Sequence, residues 1–476
     1  MTDRLIREIP SIESTSSRVI QDGLFPTSPA PTVRETIFSE ILANVLGASP
    51  PIDTVEEFHT NVQEYGPFDS EEDAETAWNI FTSTYTTTGK QGSNRGKKAK
   101  QYMVPFHPSI AKCIKPKESR NWGKWYTMLM TTEDGSFNSS LHEAFVDRLN
   151  QQSPSNIFEQ VFVDVAEKIT EDEDNTGEPD PIRPYVADLS DAFQQDLQAW
   201  LSDEHDSPSN WLQSARDLFS LHFMNYYLQL AINLRKEFEQ LGEDPENSFS
   251  PEIVDIYFGL WNETASQDRR FTQEYRERDG DGIERDIYDS WGRLTALSII
   301  AKTVEESQYN DSKKAYRLSE AVQLPDDIKY DCVANIEAHF PESERNLEAD
   351  LVTSARRLAI GVQQHYEEKP RSNQTPITAG INVIRQLGDG KERKYWRTQR
   401  GIGPTLRLNQ AALRFLARLF ILAEDDNHYD MFIQYLKNRG IYLDSESQSI
   451  ALNELEDMGM IDRQSDSGGA VYVRTI

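Results

Sequence analysis

The chain has 476 residues, 37% hydrophobic and 10% aromatic, enough apolar material for about three domains and too much for wholesale disorder. Asp and Glu number 79 against 49 Lys and Arg, a net charge of −30, which speaks to solubility rather than fold. With Cys113 and Cys332 as the only cysteines, a disulfide framework and a cysteine-based zinc site are excluded.

Residues 1–32 are rich in Ser, Thr and Pro and read as a flexible N-terminal arm. The opening MTDRLIREIP is charged where a signal peptide is apolar, so a cytoplasmic protein is expected. An N-terminal domain is expected over 33–169. Its first helix, Val33–Leu46, shows apolar spacing at Ile37, Phe38, Ile41, Leu42 and Val45 and stops at Gly47 and Pro50-Pro51. Asp69–Tyr85 reads as a second helix, capped by Asp69 or Ser70, and residues 141–169 return to helical spacing.

Between them, residues 90–124 hold ten basic residues and one acid, Glu118. The basic residues are Lys90, Arg95, Lys97, Lys98, Lys100, Lys112, Lys115, Lys117, Arg120 and Lys124, so eight of the chain's 18 lysines fall in 35 positions. Strong acidity with few lysines elsewhere fits adaptation to molar salt; an acidic protein of ordinary salt is the alternative. Cations interleaved with Tyr102, Phe106, His107 and Trp122 suit phosphate neutralisation and base stacking, as against a solvated loop paired to the acidic bulk. The nucleic-acid reading names Lys97, Lys98, Lys100, Lys112, Lys115, Lys117, Trp122 and Lys124.

The acidic, proline-containing run TEDEDNTGEPDPIRP at 170–184 reads as a linker. A helical bundle domain is expected over 185–368. Its strongest pattern, Leu212–Leu241, is apolar over more than half its circumference and belongs at the centre of a bundle. The most apolar stretch, Leu218–Leu234, is broken by His222, Asn225, Gln229 and Asn233, so it falls short of the ~18 uncharged residues of a membrane span. Further helices are expected at 251–262, 284–308, 311–323 and 346–367. Residues 369–378 (KPRSNQTPIT) form a second linker.

The last segment, 379–476, carries a second basic island, Lys391–Arg418, with Arg393, Lys394, Arg397, Arg400 and Arg407 as further nucleic-acid candidates. Lys394–Thr398 and Thr405–Leu408 read as a hairpin or basic loop, and Asn409 as the N-cap of a helix Gln410–Ala423. A helix from Tyr429 to Arg439 ends at Gly440, and Ser445 with Gln448 forms a capping box for a third, Glu446–Met458, closed by Gly459. Met460–Arg463 and Ala470–Thr475 are strands around a Ser-Asp-Ser-Gly-Gly turn. The fold class expected is mainly α: a multi-domain helical protein with a C-terminal winged helix-turn-helix-like domain. The third helix has Glu446, Glu454, Glu456 and Asp457 and no basic residue, so a DNA groove would repel it. Glu446, Glu454, Asp457, Arg463 and Tyr472 are therefore candidates for docking a protein.

No catalytic residues, metal site or cofactor are predicted. Gly89-Lys90, Gly96-Lys97, Gly123-Lys124 and Gly390-Lys391 lack the upstream Gly and following hydroxyl of a phosphate loop. Glu277–Gly282 resembles the start of a calcium loop whose twelfth position is Tyr288, not Glu. Pro325-Asp326-Asp327-Ile328-Lys329 is a superficial nuclease motif whose acids adjoin instead of flanking a metal from separate strands.

The C-terminal wording, Arg439–Ser447, Leu455–Ile461 and Ser465–Val473, resembles the end of the DptG subunit of DNA phosphorothioation-dependent restriction systems. Arg393–Arg397 and the helix from Gln410 fit the same segment loosely, so the resemblance covers roughly the last 85 residues. The family turn continues Gly-Asp-Ala where this chain has Gly469-Ala470. The resemblance implies a non-catalytic subunit of an antiviral defence complex that restricts DNA lacking backbone sulfur, working with ATPase and helicase or nuclease partners. DNA and those subunits are the expected partners. A stand-alone winged-helix transcriptional regulator is the alternative, and a nuclease with an unrecognised site the third.

Overall fold

The computed structural model describes residues 34–88, 101–104, 106–115, 122–154, 156–170, 181–203, 208–245, 247–266, 269–273, 282–307, 317–367, 375–390, 392–400, 402–464 and 470–474. The protein is mainly helical, with small sheets concentrated toward the C-terminal end. The described residues fall into two compact units. One takes Ala30–Arg183 and Phe193–Leu221; the other takes Pro184–Ala192 and His222–Ile476.

In the first unit the helices are α1 (Arg34–Val45), α2 (Val55–Tyr65) and α3 (Glu71–Tyr85), followed by strands β1 (Thr86–Thr88) and β2 (Gln101–Met103). Then come α4 (Pro108–Cys113), α5 (Trp122–Leu129), α6 (Ser139–Asn150) and α7 (Ile157–Thr170). Starts are set locally: the side chains of Thr54, Ser70 and Asn138 accept the N–H groups of Glu57, Asp73 and Leu141, satisfying donors that a helix leaves open. Phe58, Val62, Trp78, Phe81 and Phe162 form an aromatic core, with the Phe81 and Phe162 rings stacked at 3.9 Å. Two further helices, α8 (Ala187–Leu201) and α9 (Pro208–Glu243), have residues in both units.

The second unit continues with β3 (Gly259–Leu260), α10 (Arg270–Gln273), α11 (Ile283–Glu306), α12 (Leu318–Ala321), α13 (Asp326–Glu337), α14 (Leu351–Glu367) and α15 (Thr375–Gly388). Helix α11 packs against α13, α14 and α15. Gly292 sets the α11–α14 approach, since a Cβ there would collide with the Ala359 carbonyl. The chain then forms β4 (Trp396–Gln399), β5 (Gly403–Leu408), α16 (Gln410–Ala423), α17 (Tyr429–Lys437), α18 (Ser445–Asp457), β6 (Ile461–Gln464) and β7 (Ala470–Val473). Thus the bundle residues of 222–367 and the C-terminal residues 379–474, separated in the sequence reading, share one unit.

The physical link between them is the segment 252–263, which is not the helix expected at 251–262 but irregular chain leading into β3 and a turn at 261–263. The polar residues that interrupt the apolar run of α9 explain this. Gln229 donates to the Val254 carbonyl at 2.6 Å and accepts from its N–H at 2.8 Å. Asn233 donates to the Glu252 carbonyl at 2.9 Å and accepts from its N–H at 3.1 Å. Two primary amides on successive turns thus imitate the edge of a strand, and residues 252 and 254 pair with side chains instead of with their own helix. Farther along, Phe258 N–H donates to the Tyr442 carbonyl and Tyr442 N–H to the Ile256 carbonyl, at 2.8 and 2.9 Å. Strand β3 then pairs in parallel with β5, whose other edge pairs antiparallel with β4. Asn225 completes the set by donating to the Arg439 carbonyl at 3.0 Å. At Gly440 (φ +74°) a Cβ would lie 2.8 Å from the Gln229 amide, so the glycine serves both the helix end and the pairing.

Each amide–backbone bond contributes about 1 kcal/mol, but a buried backbone group left unpaired costs about 1–3 kcal/mol. Gln229→Leu and Asn233→Leu, which keep the helix and remove both bonds, are each expected to lower unfolding free energy by about 2–4 kcal/mol. Denaturant unfolding checks this; losses below about 0.5 kcal/mol, the range of neutral surface changes, would show that the pairing is dispensable.

Candidate nucleic-acid and docking surfaces

The first basic island is bracketed by structure at both ends. Strands β1 and β2 pair in register Thr86–Met103, Thr87–Tyr102 and Thr88–Gln101. Lys97, Lys98, Lys100 and Lys117 lie outside the described residues. Lys112 is half-buried on α4, Lys124 is half-buried on α5, and Lys115 is exposed and paired with Asp53 at 2.7 Å. Trp122 departs from the expectation. It is 1% exposed, a core ring beside Trp125, and its backbone N–H donates to the buried Glu40 carboxylate at 2.9 Å. Helix α5 (WGKWYTML) is buried at every position but Lys124, so both tryptophans are core rings, which composition alone does not distinguish from surface aromatics.

The second island forms the expected hairpin, and its cations divide into two kinds. Arg400 is exposed at the turn, and Arg393, Lys394 and Arg397 are half-buried with aromatic neighbours. The guanidinium of Arg393 lies 4.4 Å from the Phe415 ring centroid, and that of Arg397 lies 5.0 Å from Trp261, which also has Lys394 Nζ at 5.9 Å. Lys394 pairs with Asp389 at 3.4 Å.

Arg407, by contrast, is fully buried. It donates to the carbonyls of Leu260 (3.2 Å), Trp261 (3.4 Å) and Glu263 (2.8 Å) and to Thr405 Oγ1 (3.1 Å), with its guanidinium 4.8 Å from the Phe271 ring. Burial, reinforced by the positive charge of Arg397, pushes it down to about 10. Arg407 is therefore a structural cation that fixes the chain after β3 and is removed from the nucleic-acid candidates.

Beside it, Glu263 (6% exposed) and Arg269 tie the same segment to the start of α18. Arg269 contacts Glu263 directly, reaches Asp444 through two nitrogens at 2.7 and 3.3 Å, and pairs with Glu446 at 2.8 Å. Ser447 Oγ accepts from Arg269 at 3.0 Å and donates to Glu263 at 3.0 Å, while Leu260 N–H donates to Glu263 at 2.8 Å. The N-cap is Asp444, not Ser445: its carboxylate accepts the Ser447 N–H at 2.8 Å. Burial opposes its charge, but that N–H and Arg269 hold it below the usual carboxylate range.

This network decides what the acidic third helix can offer. Glu454 is 7% exposed, and burial pushes its carboxyl up; it is an internal group, not a docking one. Glu446 is exposed but engaged by Arg269. Asp457 is exposed, and Arg463 on β6 pairs with Glu456 at 2.8 Å. Tyr472 is half-buried with its ring 4.2 Å from His428.

Among the described residues no group of three or more potential metal-ligating side chains occurs, and no helix is long and apolar enough to cross a membrane. The nuclease-like Asp326 and Lys329 form a 2.8 Å ion pair on the first turn of α13. The calcium-like residues 277–281 lie outside the described residues. Ser109, His107 and Glu167 line a cavity of ≈ 270 Å³. Their bonding is that of a helix start: His107 Nδ1 accepts the Ser109 N–H at 3.3 Å, Nε2 faces the Gln152 carbonyl at 3.0 Å, and Ser109 Oγ donates to Glu167 at 3.0 Å. A larger cavity of ≈ 530 Å³ collects Arg235, Lys236 and Arg270 with Asp255 and Asp286. Asp286 is pushed up to about 7 by burial, against the opposing pull of Arg235 at 2.7 Å.

The two kinds of arginine on the hairpin separate experimentally. Arg407→Ala strips donors from buried carbonyls and is expected to cost about 3 kcal/mol or more, while Arg400→Ala stays within about 0.5 kcal/mol. Unfolding curves of the two variants check this, and equal effects would contradict the assignment. The chain matches no protein-family model and no curated protein.

Proposed function

We propose that this protein is a non-catalytic subunit of a phosphorothioation-dependent DNA restriction complex, contributing DNA contact and docking of ATPase and helicase partners. The observation that carries the reading is the connectivity of the elements from α16 to the last strand, which lie within the roughly 85 C-terminal residues that resemble DptG. After α16, residues Asn427 and His428 pair with the last strand: Val473 N–H donates to the Asn427 carbonyl at 2.8 Å and His428 bridges Tyr472 antiparallel. Then follow α17, α18 and the antiparallel pair β6–β7. Three helices followed by a hairpin follow the order of a winged helix-turn-helix domain, and in this reading α18 takes the recognition position and β6–β7 the wing.

The exposed side of α18 presents Ser445, Glu446, Ser449, Asn453, Glu456 and Asp457, without a cation to meet phosphate. That composition favours a protein partner over a DNA groove. In this reading Asp457, Arg463 and Tyr472 dock the partner, while Arg393, Lys394, Arg397 and Arg400, with the lysines of the first island, contact DNA.

Deleting residues 425–476 would remove Arg439 and Tyr442, which pair with α9 and the 252–263 segment, so surface substitutions give the cleaner test. Asp457→Lys with Arg463→Glu is expected to abolish co-purification with the ATPase and helicase subunits of such a system and leave DNA affinity within about twofold. Neutralising Arg393, Arg397 and Arg400 should weaken DNA binding and reduce its logarithmic salt slope by up to about three units, with partners retained. Loss of DNA binding on changing α18 and the wing, with no partner captured, would favour the stand-alone regulator.

A further inference from the structure

We infer that Trp261, with Arg397 and Lys394, forms a seat for an unpaired nucleotide base, so that the hairpin contacts single-stranded rather than intact duplex DNA. The inference rests on the nucleic-acid reading above and specifies the form of DNA taken. Trp261 directly follows β3 and has its backbone held on both sides. Its N–H donates to the Leu408 carbonyl at 2.8 Å, and its own carbonyl accepts from Arg397 and from Arg407 at 3.4 Å. The ring is thus borne by a fixed main chain and loses little freedom when a ligand stacks on it.

The side chain is only half-buried, unlike the core rings Trp122 and Trp125 at 1% exposure each. Two cations lie over its ring, Arg397 at 5.0 Å and Lys394, which also pairs with Asp389, at 5.9 Å from the centroid, and Arg400 is exposed at the turn of the same hairpin. A partly exposed aromatic ring with cations over it brings together the two functions that single-strand binding needs, a π surface for a base and positive charge for its phosphates. In a duplex the base faces are stacked on one another and closed to the ring, so the seat takes a base only where the strand is unpaired. The composition adds a reason. A chain of net charge −30 gains little from long-range attraction to DNA, and at molar salt the Debye length is ~3 Å, so short-range stacking supplies the affinity that survives.

The test uses the full-length protein and a single-stranded oligonucleotide carrying photoreactive iododeoxyuridine. Irradiation in molar KCl followed by peptide mapping is expected to place the crosslink on the peptide containing Trp261. In anisotropy titrations Trp261→Ala should weaken single-strand binding roughly 10- to 100-fold, Trp261→Phe should retain most of it, and a blunt duplex should show little change. Crosslinks mapping only elsewhere, with Trp261→Phe losing as much affinity as Trp261→Ala, would overturn the seat while leaving DNA contact intact. Absence of binding to either DNA form at any salt would overturn both.

Discussion

The second unit depends on one constraint: backbone groups at residues 252 and 254 must be satisfied, and the side-chain amides of Gln229 and Asn233 do this from the surface of α9. A helix that is apolar over most of its circumference normally packs only against other apolar surfaces. Two amides a turn apart let this one hold a non-helical chain instead. Once that chain is fixed, Ile256 and Phe258 meet Tyr442, β3 meets β5, and Glu263 and Arg269 reach the first turn of α18.

The second layer of the arrangement is electrostatic. Arg407 sits fully buried among carbonyl oxygens, and Arg269 is shared among Glu263, Asp444 and Glu446. Removing the buried Glu263 is costly, about 3–5 kcal/mol, because Arg269 then loses its buried counter-charge. The buried positive charges and the exposed ones therefore do different work on a single hairpin. Arg407 secures the segment, and Arg400, Arg397 and Lys394 remain at or near the surface where the proposed DNA contact needs them.

Much of this was legible in the sequence where local chemistry dominates. The Asn409 cap with helix Gln410–Ala423, the Gly440 and Gly459 helix ends and the strands around 461–464 and 470–473 follow from side-chain capping and left-handed glycine, which depend on a few adjacent residues. The helix expected at 251–262 failed because its competitor is remote: the groups that hold the segment out of a helix lie about 20 residues earlier, on α9. For the same reason Arg407 and Trp122 read as binding residues. Nothing adjacent in sequence marks the carbonyls that surround one or the core that surrounds the other. A usable signal was present in the polar interruptions of Leu218–Leu234. Buried amides at positions 225, 229 and 233 share one face of a helix, spaced by four residues, and amides on an apolar face require partners.

The central claim is that the 252–263 segment is held by α9 and in turn holds the C-terminal elements. Native-state hydrogen exchange in molar KCl tests it most directly. The amides of Val254, Phe258, Trp261 and Tyr442, each donating to a partner across this junction, are expected to open in a single cooperative step, and Asn233→Leu should lower the protection of all four together. Exchange at Phe258, Trp261 and Tyr442 that is indifferent to Asn233→Leu would contradict the account.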